Sequence, residues 1–400
     1  MRLMRRDVIA IVLVVWMALA AFVAGYMFHD YRQSFAAAPV TAVDDDQFVV
    51  FWEALGWVEQ SFIGDLPDDR TVTYGAIRGA LATLNDPYTY FVEPVAREQE
   101  RETLRGNFGG IGANIRREED GRLTLTPIPG NPAEEAGIRD GDTLLAVDGL
   151  DVSDPDAFTV EEIVQLIRGE KGTAVVLTVR HADSDEAVDI AIVRADILIP
   201  SVTARILPED PAIGYIQLTR FSGESGREVS EAIARLQAAG ATQLILDLRH
   251  NGGGLLDGAI AVSDHFVEGG VVLYQQSRGQ AERQFEANGA AVAGNMPLVV
   301  LIDGGTASAA EIVAGALRDR ERAVLIGAPT FGKGSVQLVY DLSDGSSVHV
   351  TAARWFTPAR HQIDQQGLAP DILVETAAAA VSDGRDEFLA RAVAFLQNGE

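Results

Sequence analysis

The sequence predicts an α/β protein of several units, and three stretches carry that reading. From residue 197 onward, strand-like and helix-like runs take turns. IGYIQL, REVSEAIARLQAAG, QLILDL, LLDGAIAVSDHF, PLVVLI, AEIVAGALRD and AVLIG follow one another, an order that gives βα units and a largely parallel sheet. Residues 102–196 alternate differently, with runs such as RLTLTPI and AVVLTVRH separated by glycine turns around one helical segment, VEEIVQLIRG; this reads as a compact β-rich module. Residues 47–101 have helical spacing interrupted at GDLPDDRT, and TYGAIRGALATL stops at Asn85-Asp86-Pro87. A chain of 400 residues, 47 % hydrophobic, has enough apolar material for more than one core.

The two ends differ from these units. In residues 1–46, MRLMRRD precedes an uncharged run from Val8 to Phe28, whose 21 residues at about 1.5 Å each would span roughly 30 Å of bilayer. Arg2, Arg5 and Arg6 favour a cytoplasmic N-terminus. This predicts a single-pass anchor in the cytoplasmic membrane. The alternative is a cleaved signal peptide with Ala36-Ala37-Ala38 as the cleavage site, giving a secreted or periplasmic protein. Both place the working units outside the cytoplasm. Residues 376–400 read as a helical tail.

Composition excludes several function classes. The formal charge of −26 leaves no basic face overall for nucleic acid. The absence of cysteine removes disulfides, thiol nucleophiles and thiolate metal sites together.

Within the β-rich module, Phe108-Gly109-Gly110-Ile111-Gly112 is expected as a loop before a strand, and AGIRDGDTLLAVDGLDV follows in its middle. Together they resemble a PDZ domain. By that resemblance Gly110, Ile111 and Gly112 receive a peptide's terminal carboxylate on converging backbone N–H groups, while the peptide adds as a strand.

Lysine is nearly absent: Lys171 and Lys333 stand against thirty arginines. An arginine stays protonated, whereas a buried lysine, with a pKa of about 10.4 in water, can lose its proton and act as a base. Lys333 lies among Val324, Leu325, Ile326, Phe331, Val336 and Leu338. Upstream, Ser308 falls between the strand PLVVLID and a helix. With Glu311 it matches a helix-capping box, yet a serine at a helix start also sits beside free N–H groups suited to an oxyanion. The histidines are His29, His181, His250, His265, His349 and His361. His250, in LDLRHNGGGLL, is the one that competes for the role of base. There is no G-x-S-x-G elbow and no S-x-x-K motif.

DPYTYF at 86–91, FGGIG, TASAAEI around Ser308 and TFGKGSVQ around Lys333 resemble the C-terminal processing peptidases, serine–lysine proteases with an inserted PDZ domain; HQIDQQGLAPDI fits the end of the family's core. The resemblance spans residues 50–375. It implies a crotonase/Clp-like protease core over 197–375, an inserted PDZ domain over 102–196 and an N-terminal helical region over 47–101. It makes Ser308 the nucleophile, Lys333 the general base and Gln337 the residue that orients the amine; the consecutive glycines after a buried strand read as oxyanion donors, assigned to Gly253 with the exact glycine of the run left open and paired with the Ala309 amide, and His250 reads as a structural residue beside the site. LDLRHNGGGLL departs from the commoner pattern, which has asparagine at the position of His250 and often proline at Gly252. No metal or other cofactor is implied. The partners implied are protein or peptide substrates with a free C-terminus, and a homo-oligomer is left open. The rival from another class is a non-proteolytic PDZ adaptor on a protease fold, which has no need of Ser308, Lys333 and Gln337 together. A trypsin-like PDZ protease would need histidine and aspartate ahead of a GNSGG-type serine, and that order is missing.

Overall fold

The computed structural model describes residues 45–289, 291–374 and 386–399. The chain divides into two units between Gly75 and Ala76. The first contains α1 (Asp45–Ser61) and the start of α2 (Asp69–Ala82). Phe48, Trp52 and Trp57 of α1 are exposed.

The second unit is organised by a sheet of β10 (Val202–Leu207), β11 (Asp210–Leu218), β12 (Gln243–Asp247), β15 (Leu298–Ile302), β16 (Val324–Gly327) and β19 (Ile372–Leu373), in that spatial order. The first pair is antiparallel and the remaining pairs are parallel. Side chains alternate between two cores, as the two-residue period of a strand requires. Leu244, Leu246, Leu298 and Val300 pack with α6 (Ser225–Ala238), α7 (Leu256–Ser263) and α8 (Ala309–Asp319). Ile245, Val299, Leu301 and Ile326 pack with Phe388, Leu389 and Val393 of α9 (Glu387–Asn398). Covering both faces explains why QLILDL and PLVVLI read as continuous apolar runs.

An antiparallel sheet joins distant parts of the chain: β1 (Tyr90–Val92), β18 (Ser347–Phe356), β13 (Gly270–Ser277) and β14 (Arg283–Ala287), with β17 (Ser335–Asp341) also on β18. Sequence pattern did not reveal this sheet, and it changes one boundary. Residues 76–101, grouped with the N-terminal helices on the sequence, belong to the larger unit, because β1 pairs with β18 in the register Tyr90↔His349. Helix α3 (Pro94–Arg105) follows β1, with proline in its first turn, and ends at Gly106 in the left-handed conformation, φ 82°.

The β-rich module leaves and rejoins the core through a ribbon of β2 (Asn107–Gly110) and β9 (Ala195–Leu198). Between these lie a sheet of β3 (Ala113–Arg117), β4 (Leu123–Pro127), β5 (Asp142–Val147), β7 (Ala174–Arg180) and β8 (Ala187–Val193), the short strand β6 (Leu150–Asp151) and the helices α4 (Pro132–Glu135) and α5 (Val160–Ile167). Phe108, Gly109 and Gly110, expected in a loop, are thus in a strand, and the turn is confined to Ile111 and Gly112. A side chain at Gly109 would put its Cβ 2.0 Å from the Gly169 carbonyl oxygen, so that strand position has no room for one.

Among the described residues no helix is long and apolar enough to cross a membrane; the run from Val8 to Phe28 lies outside them.

Candidate active site

Three adjacent parallel strands, β12, β15 and β16, lead at their carboxyl ends into the glycine loop, into Ser308 and into the loop bearing Lys333. Crevices at this end of an α/β sheet are where ligands bind. The cavity here is about 270 Å³, and Ser308, Ala309, Lys333 and Gln337 all line it, with Gly252 and Gly254 in the same wall.

Ser308 occupies the turn from β15 into α8 with φ 54° and ψ −116°, a conformation that L-residues with a Cβ rarely adopt. The chain therefore makes a strained strand-to-helix turn of the nucleophile-elbow kind without the flanking glycines of that motif. Buried Asn251 holds the turn in place. Its Oδ1 accepts from the Gly253 N–H at 2.9 Å, its Nδ2 donates to the Leu218 carbonyl at 2.8 Å, and its carbonyl accepts from the Ala307 N–H at 2.9 Å. Gly253, at φ 101°, packs so close that a side chain there would bring its Cβ within 2.8 Å of Ser308 Cβ.

The Lys333 loop is tied to this turn by one carboxylate. Glu311, fully buried in the first turn of α8, accepts from the backbone N–H groups of Ser308 (2.8 Å), Gly332 (2.8 Å) and Lys333 (2.9 Å), and from Thr330 Oγ1 (2.5 Å). Burial pushes its pKa up, against the pull of those donors. Around the Lys333 side chain, burial lowers the amine pKa, while the charges of Glu100 and Glu311 act in the opposite direction. Its Nζ is 5.3 Å from the centre of the Tyr88 ring. Among the described residues the amine makes no hydrogen bond or ion pair, which leaves it able to take a proton from a group entering the cavity.

The remaining expected residues fall as follows. Gln337 lines the cavity, but its amide donates to Ser335 Oγ at 2.9 Å. The oxyanion expectation at Gly253 needs correction, because its N–H is already given to Asn251. The N–H groups of Gly252 and Gly254, which border the cavity, donate to no described residue, and Ala309 begins α8 with an N–H that the helix leaves unsatisfied. His250 is 85 % exposed at its side chain, pairs with Asp303 Oδ2 at 2.9 Å, and does not border the cavity. Gly110, Ile111 and Gly112 border a separate groove of about 280 Å³ beside Val164, Ile167 and Arg168. Among the described residues no group of histidine, aspartate and glutamate is arranged to hold a metal ion.

Residues 212–374 match the model of peptidase family S41, and residues 125–181 match a PDZ domain. The carboxyl-terminal-processing protease of Synechocystis sp. is 39 % identical over 311 residues, 77 % of this chain and 72 % of that protein. The carboxy-terminal processing protease CtpA of Bacillus subtilis is 34 % identical over 368 residues, covering 92 % and 76 %. The chain belongs to peptidase family S41. It is a serine peptidase of the C-terminal processing type, with a PDZ domain and an α/β protease core.

For this S41 peptidase, sequence reasoning missed part of the cavity wall. Tyr90, Glu100, Leu104 and His349 line it, and Tyr88 and Glu311 support Lys333 from outside that wall. DPYTYF flagged the tyrosines without a role, and the capping-box spacing flagged Glu311 only as a helix start. Nothing in the local pattern marked Glu100 or His349, which are 249 residues apart in sequence yet in contact, His349 Nε2 lying 3.1 Å from Glu100 Oε2. The histidine that borders the cavity is therefore His349 and not His250.

Proposed function

We propose that this C-terminal processing protease works through a Ser308–Lys333 pair, and the observation that carries the proposal is the half-buried Lys333 amine, which makes no hydrogen bond or ion pair among the described residues and lines the cavity that Ser308 borders. Neutral Lys333 accepts the Ser308 hydroxyl proton as Oγ attacks the scissile carbonyl. The tetrahedral oxyanion points at the Ala309 N–H and at an N–H of the glycine loop, Gly252 or Gly254. Collapse breaks the C–N bond, and the proton moves from Lys333 to the departing amine. Water then hydrolyses the Ser308 ester with the same base. Gln337 bears on the amine only if its amide turns from Ser335. Ser308→Ala is expected to remove peptide cleavage while the chain stays folded, as shown by circular dichroism; turnover retained in that variant overturns the assignment.

The groove at Gly110, Ile111 and Gly112 is proposed to take the substrate's free C-terminus. Its position between β3 and α5 supports a peptide added as a strand. The apolar run Val8–Phe28 supports a membrane-anchored enzyme with an extracytoplasmic catalytic domain, or an exported one if the run is removed. Retention of the protease domain inside spheroplasts, protected from external proteinase, contradicts both.

A further inference from the structure

The Lys333 cavity also contains a charged cluster that Ser308–Lys333 chemistry does not use. Glu100 reaches it from α3 and His349 from β18. Glu100 Oε2 accepts from Arg97 Nη1 at 2.8 Å and lies 3.1 Å from His349 Nε2, and the His349 ring stacks on Tyr90 at 4.6 Å between centroids. Arg97 is itself braced by Asp341, 2.9 Å from its Nε. Two strands fix this arrangement, because Tyr90 and His349 are cross-strand partners in β1 and β18.

We propose that Glu100 is a positioning residue for Lys333: its carboxylate, held in the cavity wall by Arg97 and His349, sets the protonation of the amine across that cavity. The proposal rests on Lys333 being the base. The groups with charge or titratable protons around the amine are Glu100 from α3, with Arg97 behind it, Glu311 from α8, Tyr88 before β1, Tyr90 from β1, His349 from β18 and Asp364 beside Gly334. Glu311 spends its carboxylate on four donors, whereas Glu100 Oε1 has no hydrogen-bond partner among the described residues. Burial alone would push the Glu100 pKa up, but the bonds from His349 and Arg97 bring it below the ordinary range and keep the group ionised. A fixed anion in a partly water-excluded cavity favours the ammonium form of Lys333. It thereby raises the pH at which the base becomes available, against the burial that lowers it. A helix outside the parallel sheet thus adjusts the working pH of a base carried by that sheet.

The chain's two lysines make a direct test feasible. Lysine carrying carbon-13 at the ε position gives two signals, and Lys171, exposed and paired with Asp196, is identified by Lys171→Arg. Glu100→Gln is expected to move the Lys333 titration midpoint to lower pH. On the acidic limb of kcat/KM, Glu100→Gln is expected to show about three- to tenfold more of its own plateau activity than the native enzyme. A midpoint that stays or rises in Glu100→Gln overturns the proposal. If the midpoint falls as expected while the activity limb stays fixed, Glu100 keeps this role and Lys333 loses the role of base.

Discussion

Lys333→Arg keeps the positive charge and approximate length of the side chain but forfeits its capacity to be neutral. The variant is expected to fold and to have no measurable turnover, with kcat/KM against a short peptide as the readout; near-native activity removes the amine from the mechanism. The direction of the native pH profile follows from the same residue. Burial lowers the Lys333 pKa from its ordinary 10.5, so the neutral fraction grows and kcat/KM climbs as pH passes through the lowered value. The unfolded chain holds that proton more tightly, so Lys333 makes stability rise with pH between the lowered value and 10.5. His250→Ala is expected to leave the limb in place, since His250 is a solvent-facing partner of Asp303. Lys333 was legible in the sequence because its residue type is rare and its neighbours are apolar. Glu311 was half legible, since capping spacing fixed its place at a helix start but could not show that it also grips a loop 22 residues further on.

Elements explain what single residues could not reveal. The βα alternation was readable because the central parallel strands are buried on both faces, leaving runs such as LVVLI with every residue buried. The antiparallel sheet was unreadable because β1 and β18 lie some 250 residues apart and no local period encodes their pairing. The cavity wall at Tyr90, Glu100 and His349 depends on that sheet and was missed with it. The Ser308 turn shows the converse. Its sequence reads as an ordinary cap, while its backbone at φ 54° stores strain of about 1–3 kcal/mol for an L-residue. Glycine relieves that strain at an entropic cost of about 0.5–1 kcal/mol. Ser308→Gly is therefore expected to be inactive like Ser308→Ala, yet more stable than it by about 1 kcal/mol in chemical denaturation. Equal stabilities for the two variants would show that the turn is not strained.

Across the second unit, the way the PDZ module is attached determines what its removal does. Its first and last strands pair, with Asn107 opposite Leu198, so the two points where the core chain is interrupted stand one strand spacing apart, about 5 Å. Bridging them takes two or three residues and leaves α3, the parallel sheet and the Ser308–Lys333 cavity in place. The module's core of Leu123, Leu125, Leu144, Ile163, Val175 and Leu177 is a separate cluster from that of the sheet, so its excision exposes little core surface. The loss at the seam is local: the Arg168–Glu102 ion pair at 2.7 Å. A chain with residues 108–197 replaced by a short Gly-Ser link is expected to fold and to cleave short peptides. The intact enzyme is expected to prefer a free C-terminus and the excised form to cleave free and amidated peptides equally, because the groove at Gly110 to Gly112 is gone. A preference that survives excision places carboxylate recognition in the protease core, and an excised chain that does not fold means the seam contacts matter more to the core than its own packing suggests.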